Sequence, residues 1–168
     1  HIPSLGQVAN MQELLARARG GRLLMLHDDD LLLPGAVSTM ATGFDLAPDV
    51  IASYGTIQHI DAKGRYLKEM TEDENIQLQR TPEHAGLHRD LLVRALRRHI
   101  LPLGFLVRSD AAKAVGYRDR DTIGLAVDTD FGIRLALAYR GAAFAFIPRP
   151  VYQFRLWTES QRFNQRDT

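Results

Sequence analysis

The 168 residues are 45% hydrophobic and 24% charged with a formal net charge of +1, the balance of one globular domain with an ordinary core, which disfavours disordered and membrane-spanning classes. A charge so near zero provides no field to gather nucleic acid, and the lack of cysteine excludes disulfides and thiolate metal centres, so a metal here would be hard and bound by oxygen or histidine, which favours magnesium or manganese. No apolar segment reaches about 18 residues and no signal sequence opens the chain, which points to a cytoplasmic protein.

Ser4 is placed to cap a helix over 7–19, in which Val8, Met11, Leu14, Leu15 and Ala18 recur at helical spacing before Gly20-Gly21 stops it. Leu23-Leu24-Met25-Leu26 reads as a strand buried on both faces, and Pro34 opens a helix over 34–44 with Val37, Met40, Ala41 and Phe44 on one face. Residues 50–60 are strand-like, Asp61-Ala62-Lys63-Gly64 reads as a hairpin turn into a strand over 66–70, and 71–82 as a polar, acidic, mobile loop. The spacing of Leu87, Leu91, Leu92, Ala95 and Leu96 predicts a helix over 83–99. Its Arg89, Arg94, Arg97 and Arg98 form either a solvated face or a patch for phosphate or an acidic acceptor.

Leu101-Pro102-Leu103-Gly104 leads into a short strand over 105–107, and Ser109 or Asp110 caps a helix to Val115 that Gly116 ends. A charged loop over 117–126 resolves into Val127-Asp128-Thr129-Asp130, where either aspartate can cap a helix over 131–140. Residues 142–147 form an apolar strand, Pro148-Arg149-Pro150 a rigid turn, and 151–156 an edge-like strand.

His27-Asp28-Asp29-Asp30 follows the first apolar strand, and ligand sites in open α/β sheets lie just beyond such strand ends. Adjacent carboxylates repel one another, and a divalent cation that also grips phosphate oxygens would relieve the repulsion. The same residues would also suit a solvated acidic turn ahead of a helix N-terminus.

Several pieces recur in a recognisable order: a helix ending in Ala18-Arg19-Gly20-Gly21; a strand ending in Asp28-Asp29-Asp30, with Pro34 four residues on; and Gly104-Phe105-Leu106-Val107-Arg108. Then come Asp128-Thr129-Asp130 with Phe131-Gly132-Ile133-Arg134-Leu135, Gly141, and an apolar strand into Pro148-Arg149-Pro150-Val151-Tyr152. Over 6–160 the chain resembles a family 2 glycosyltransferase of the GT-A fold. The resemblance implies an α/β chain with a partial GT-A fold, its mixed, mostly parallel sheet flanked by helices. It also implies a nucleotide-sugar donor, Mn2+ or Mg2+ bound by a DxD-type motif, and a saccharide, lipid-linked or protein acceptor, as in cell-envelope polysaccharide assembly.

By that resemblance Asp29 is the metal ligand, with His27 where relatives carry the first Asp of the motif. Asp28 and Asp30 assist through the nucleotide ribose, the metal shell or hydrogen bonds. Asp128 matches the catalytic base, preceded by Val127 where relatives carry Glu. Arg155, with Gln153, Phe154, Thr158 and Ser160, matches a region that contacts the donor diphosphate. An inverting transfer needs such a base on one side of the sugar and charge neutralisation of the leaving diphosphate on the other.

The family begins with a nucleotide-binding strand-helix-strand unit, which implies that 1–168 is a truncated single domain that binds donor weakly or not at all. Such a piece is expected to expose the edges of the strand at 23–26 and to cover them by homo-oligomerisation. The parent protein could associate peripherally with the inner face of a membrane. Two alternatives remain: a metal-dependent phosphohydrolase, whose nucleophilic aspartate would fall at His27, and a non-catalytic glycosyltransferase-like binding or assembly module.

Overall fold

The computed structural model describes residues 6–97, 104–124 and 126–157. In it the two longest apolar runs become the two longest strands, β3 (Val50–Ile60) and β6 (Ala143–Arg155), and they lie side by side in parallel. The shorter strands are β1 (Arg22–Leu24), β2 (Leu31–Leu32), β4 (Gly86–His88) and β5 (Phe105–Arg108). The helices are α1 (Gln7–Arg17), α2 (Ala36–Ala41), α3 (Lys68–Gln77), α4 (Leu91–Leu96), α5 (Ser109–Val115), α6 (Arg120–Ile123) and α7 (Val127–Ala138).

The six-stranded sheet runs β1-β5-β3-β6-β2, with β4 also paired to β6. Every pair except β3·β6 is antiparallel, so the sheet is mixed and mostly antiparallel, not mostly parallel as expected. Parallel pairing requires the chain to cross back over the sheet, and here that return is made once, by the long segment from α3 through α7.

Alternation along the strands divides the core. Phe105 and Val107 join Tyr54, Phe144 and Phe146 under α1, α4, α5 and α7, while Leu106, Val151 and Tyr152 pack with Met40 of α2 on a second cluster. Gly55 is required where β6 bulges, because a Cβ there would lie 2.5 Å from the Arg149 carbonyl oxygen and 2.7 Å from both Val151 methyls.

Several sequence expectations change. β1 is a three-residue edge strand paired only with β5 among the described residues, and Leu23 and Leu24 are half-buried, not buried on both faces. Pro148-Arg149-Pro150 makes no turn: β6 runs through it, absorbing the imino residues in a register shift opposite Gly55. The helix expected over 83–99 is divided into a 3-10 turn (Pro82–His84), β4 and α4, since Gly86 sits at φ 109 and cannot continue a helix. Part of the expected charged loop is α6. Ser4, Arg98, His99, Leu101, Pro102, Leu103, Thr158 and Ser160 lie outside the described residues.

The largest change is at 66–82, where a strand and a mobile acidic loop were expected and α3 is found. Among the described residues β5 pairs with β3 only at Ala52–Tyr54, and no other strand of those residues pairs with the backbone edge from Gly55 to His59 on that side. Polar side chains of the helix take the place of one. Asn75 Nδ2 donates to the Ile57 carbonyl at 2.8 Å while Ile57 N–H donates to Asn75 Oδ1 at 3.2 Å. His59 N–H donates to Thr71 Oγ1 at 2.8 Å, Leu67 N–H to the His59 carbonyl at 2.9 Å, and Arg80 Nη1 to the Gly55 carbonyl at 3.2 Å. Thr71 and Asn75, one turn apart, therefore face inward and are buried, and Glu69, Glu72 and Asp73 face solvent. Among the described residues no helix is long and apolar enough to cross a membrane.

Candidate functional site

The acidic residues occupy the loop between β1 and β2. β2 is only two residues long, and its pairing of Leu31 with Gln153 and Leu32 with Tyr152 brings the loop beside the C-terminal end of β6. Asp30, directly before β2, is 4% exposed. Its Oδ2 accepts from the Tyr152 hydroxyl and its Oδ1 accepts from Arg155 N–H at 2.8 Å. Burial pushes the Asp30 carboxyl above the ordinary value, the two hydrogen bonds oppose that rise, and the neighbouring Asp29 charge adds to it.

Asp29 is held twice, its carbonyl accepting from Arg155 Nε and its Oδ2 from Trp157 Nε1, both at 2.8 Å. His27 Nδ1 lies 3.9 Å from Asp30 Oδ2, and its Nε2 is buried without a hydrogen-bond partner among the described residues. Asp28 is exposed. One ligand atom from each of His27, Asp29 and Asp30 lies within 4.8 Å of the others. One imidazole and two carboxylates can hold a divalent cation, the carboxylates suiting Mg2+ or Mn2+ and the imidazole shifting the preference to Mn2+.

Asp128 does not precede its helix as a cap; α7 begins at Val127, so Asp128 and Asp130 both lie in the first turn. Their environments separate them. Asp130 accepts from Arg134 Nε at 2.7 Å and from Arg118, whose hydrogen bond is the main reason its carboxyl sits below the ordinary value. Arg134 also donates to the carbonyls of Val115 at 2.5 Å and Gly116 at 2.7 Å, so Asp130 is part of the brace joining α5 to α7. Val127 is buried in the main core cluster.

The Asp128 charge acts on two buried phenols. Burial raises both Tyr117 and Tyr152 above the ordinary phenol, and the Asp128 charge raises each further. On Tyr152 the hydrogen bond and charge of Asp30 and the charge of Asp29 act in the same direction. The charges of Asp29, Asp30 and Asp128 thus all bear on one phenol, although nearly a hundred residues separate the loop from α7.

Arg155 is a clamp. Besides Asp29, its guanidinium reaches the carbonyls of Asp61 at 3.2 Å and Ala62 at 3.3 Å, tying the acidic loop to the turn after β3. The arginines of the expected patch are largely paired, Arg89 with Asp49 and Arg94 with Asp90, while Arg97 is exposed. Sequence reasoning missed Tyr152 and Trp157 as site residues. Their partners lie 122 and 128 residues away, and no local pattern announces them. No protein-family profile matches this chain, and no curated protein matches it.

Proposed function

We propose that the chain carries the metal-binding and general-base side of a family 2-like glycosyltransferase site, which moves a sugar from a nucleotide-sugar donor to an acceptor hydroxyl with inversion. The observation that supports it most is the convergence of His27, Asp29 and Asp30 within 4.8 Å. A partial GT-A architecture, a cytoplasmic setting and self-association through the β1 edge belong to the same reading.

In this mechanism Asp29, His27 and Asp30 hold Mn2+ or Mg2+, which when bound supplies Lewis-acid neutralisation of the leaving diphosphate. Asp28, exposed at the loop tip, is available to the donor ribose. The Asp128 carboxylate takes the acceptor hydroxyl proton as that oxygen bonds to the anomeric carbon. The bond from the anomeric carbon to the diphosphate oxygen breaks, and its electron pair leaves with the nucleoside diphosphate. Arg155 serves the donor side by fixing the loop.

Calorimetric titration with Mn2+ and a panel of nucleoside diphosphates tests this. The expected result is cation-dependent diphosphate binding that Asp29→Asn abolishes and Asp128→Asn retains. Phosphate release from a generic ester would indicate a phosphohydrolase instead, and no response to any diphosphate would indicate a binding or assembly module.

A further inference from the structure

We propose that the C-terminal end of β6 is the frame that orients the cation ligands, with Tyr152 and Trp157 as its two positioning residues. The inference rests on the cation site of the proposed function and assigns work to side chains that no motif marks.

The acidic loop cannot orient itself. β1 has ended at Leu24, and among the described residues the backbone bond within 27–30 is a long one, from Asp30 N–H to the His27 carbonyl at 3.4 Å. Carboxylates this close repel, so an unrestrained loop would turn them apart. The convergence is imposed from β6. Tyr152 holds Asp30 Oδ2, the Arg155 N–H holds Asp30 Oδ1, Arg155 Nε holds the Asp29 backbone and Trp157 Nε1 holds Asp29 Oδ2.

The chemistry of these donors is divided in a telling way. Those aimed at the carboxylates are a phenol, a backbone amide and an indole, all uncharged. The one cation of the frame, the Arg155 guanidinium, is spent on the carbonyls of Asp29, Asp61 and Ala62. Neutral donors fix the direction of a carboxylate without cancelling its charge, whereas an arginine or lysine in their place would compete with a divalent ion. Each bonded oxygen keeps a second lone pair for a ligand. This is the arrangement expected of groups that orient metal ligands, whose removal typically weakens metal binding 10–100-fold.

Trp157 is the only tryptophan in the chain, so its emission reports on the site directly. The test is Mn2+ titration of the whole chain, followed by calorimetry and by tryptophan emission, with Trp157→Phe and Tyr152→Phe compared by calorimetry. Tyr152→Phe keeps its ring, Trp157→Phe stays aromatic with a smaller ring, and each loses one donor. The expected result is wild-type quenching that tracks the calorimetric curve, and at least about a tenfold loss of Mn2+ affinity in each variant. The electron paramagnetic resonance spectrum of bound Mn2+ should also change, while the ion-free Trp157→Phe protein melts as the wild type does. Wild-type affinity in both variants, or a loss that only follows unfolding in the same samples, overturns the positioning role. Failure of the wild type to bind Mn2+ overturns the cation site itself, a distinct result.

Discussion

Replacing Asn75 with leucine should weaken the fold far more than its place in an acidic surface helix suggests. Among the described residues the Asn75 amide partners both backbone groups of Ile57 on this edge of β3, at 2.8 and 3.2 Å, and it also donates to the Thr71 carbonyl at 2.7 Å. Leucine conserves volume but leaves the buried Ile57 N–H and carbonyl unsatisfied. Each such group costs about 1–3 kcal/mol, so the expected loss from the two is about 2–6 kcal/mol. A cleft of about 320 Å3 lined by Ile57, Thr71 and Asn75 can admit water, which favours the lower end of that range. Thr71→Val removes only the acceptor for His59 N–H and should cost about 1–2 kcal/mol. Urea unfolding gives both losses, and native-state hydrogen exchange should accelerate at the Ile57 amide in Asn75→Leu. A variant within about 0.5 kcal/mol of wild type, with unchanged exchange at Ile57, would refute the claim that α3 side chains complete this sheet edge.

Two further outcomes follow from the same geometry. Gly55→Ala drives a methyl to 2.5 Å from the Arg149 carbonyl oxygen, so β6 must shift at its bulge. The melting temperature should fall by the equivalent of about 1–3 kcal/mol, and an unchanged melt would show that the strands are not so closely apposed. Asp130 has a folded-state pKa held below its ordinary 3.8, chiefly by the Arg118 hydrogen bond. Its stabilisation is therefore complete above the unfolded value and is lost as pH falls through the folded one. Asp130→Asn should be less stable than wild type at pH 7, with the gap closing towards acid. Melting curves taken between about pH 7 and pH 2.5 would contradict the brace if the gap stayed constant.

Local sequence, through apolar runs, helical spacing and capping residues, placed β3, the helix after Pro34, and the strand and helix on either side of Arg108, because burying a run or stripe and closing helix ends are local demands that any fold must meet. The family resemblance singled out Asp128, and local sequence marked His27, Asp29 and Asp30, since adjacent carboxylates after an apolar run need an explanation wherever the chain puts them. What it could not supply was the partner of each polar group. The segment over 66–82 reads as loop by composition, yet becomes a helix because Thr71 and Asn75 find an open backbone edge that exists only once β3 and β5 have paired.

In the same way, the acidic strand end looked central but lies at the margin, as β1 has one neighbour among the described residues. Local sequence could not separate Asp128 from Asp130 either. Arg118 and Arg134 decide that by pairing with Asp130, while the Asp128 charge bears on Tyr152. Hydrophobic patterning is written in neighbours a few residues apart, so the sequence by itself determined the main strands and the residues worth suspecting. Hydrogen bonds that span more than a hundred residues depend on which strands lie side by side, so only the tertiary structure decided that Tyr152, Arg155 and Trp157 hold the acidic loop in place.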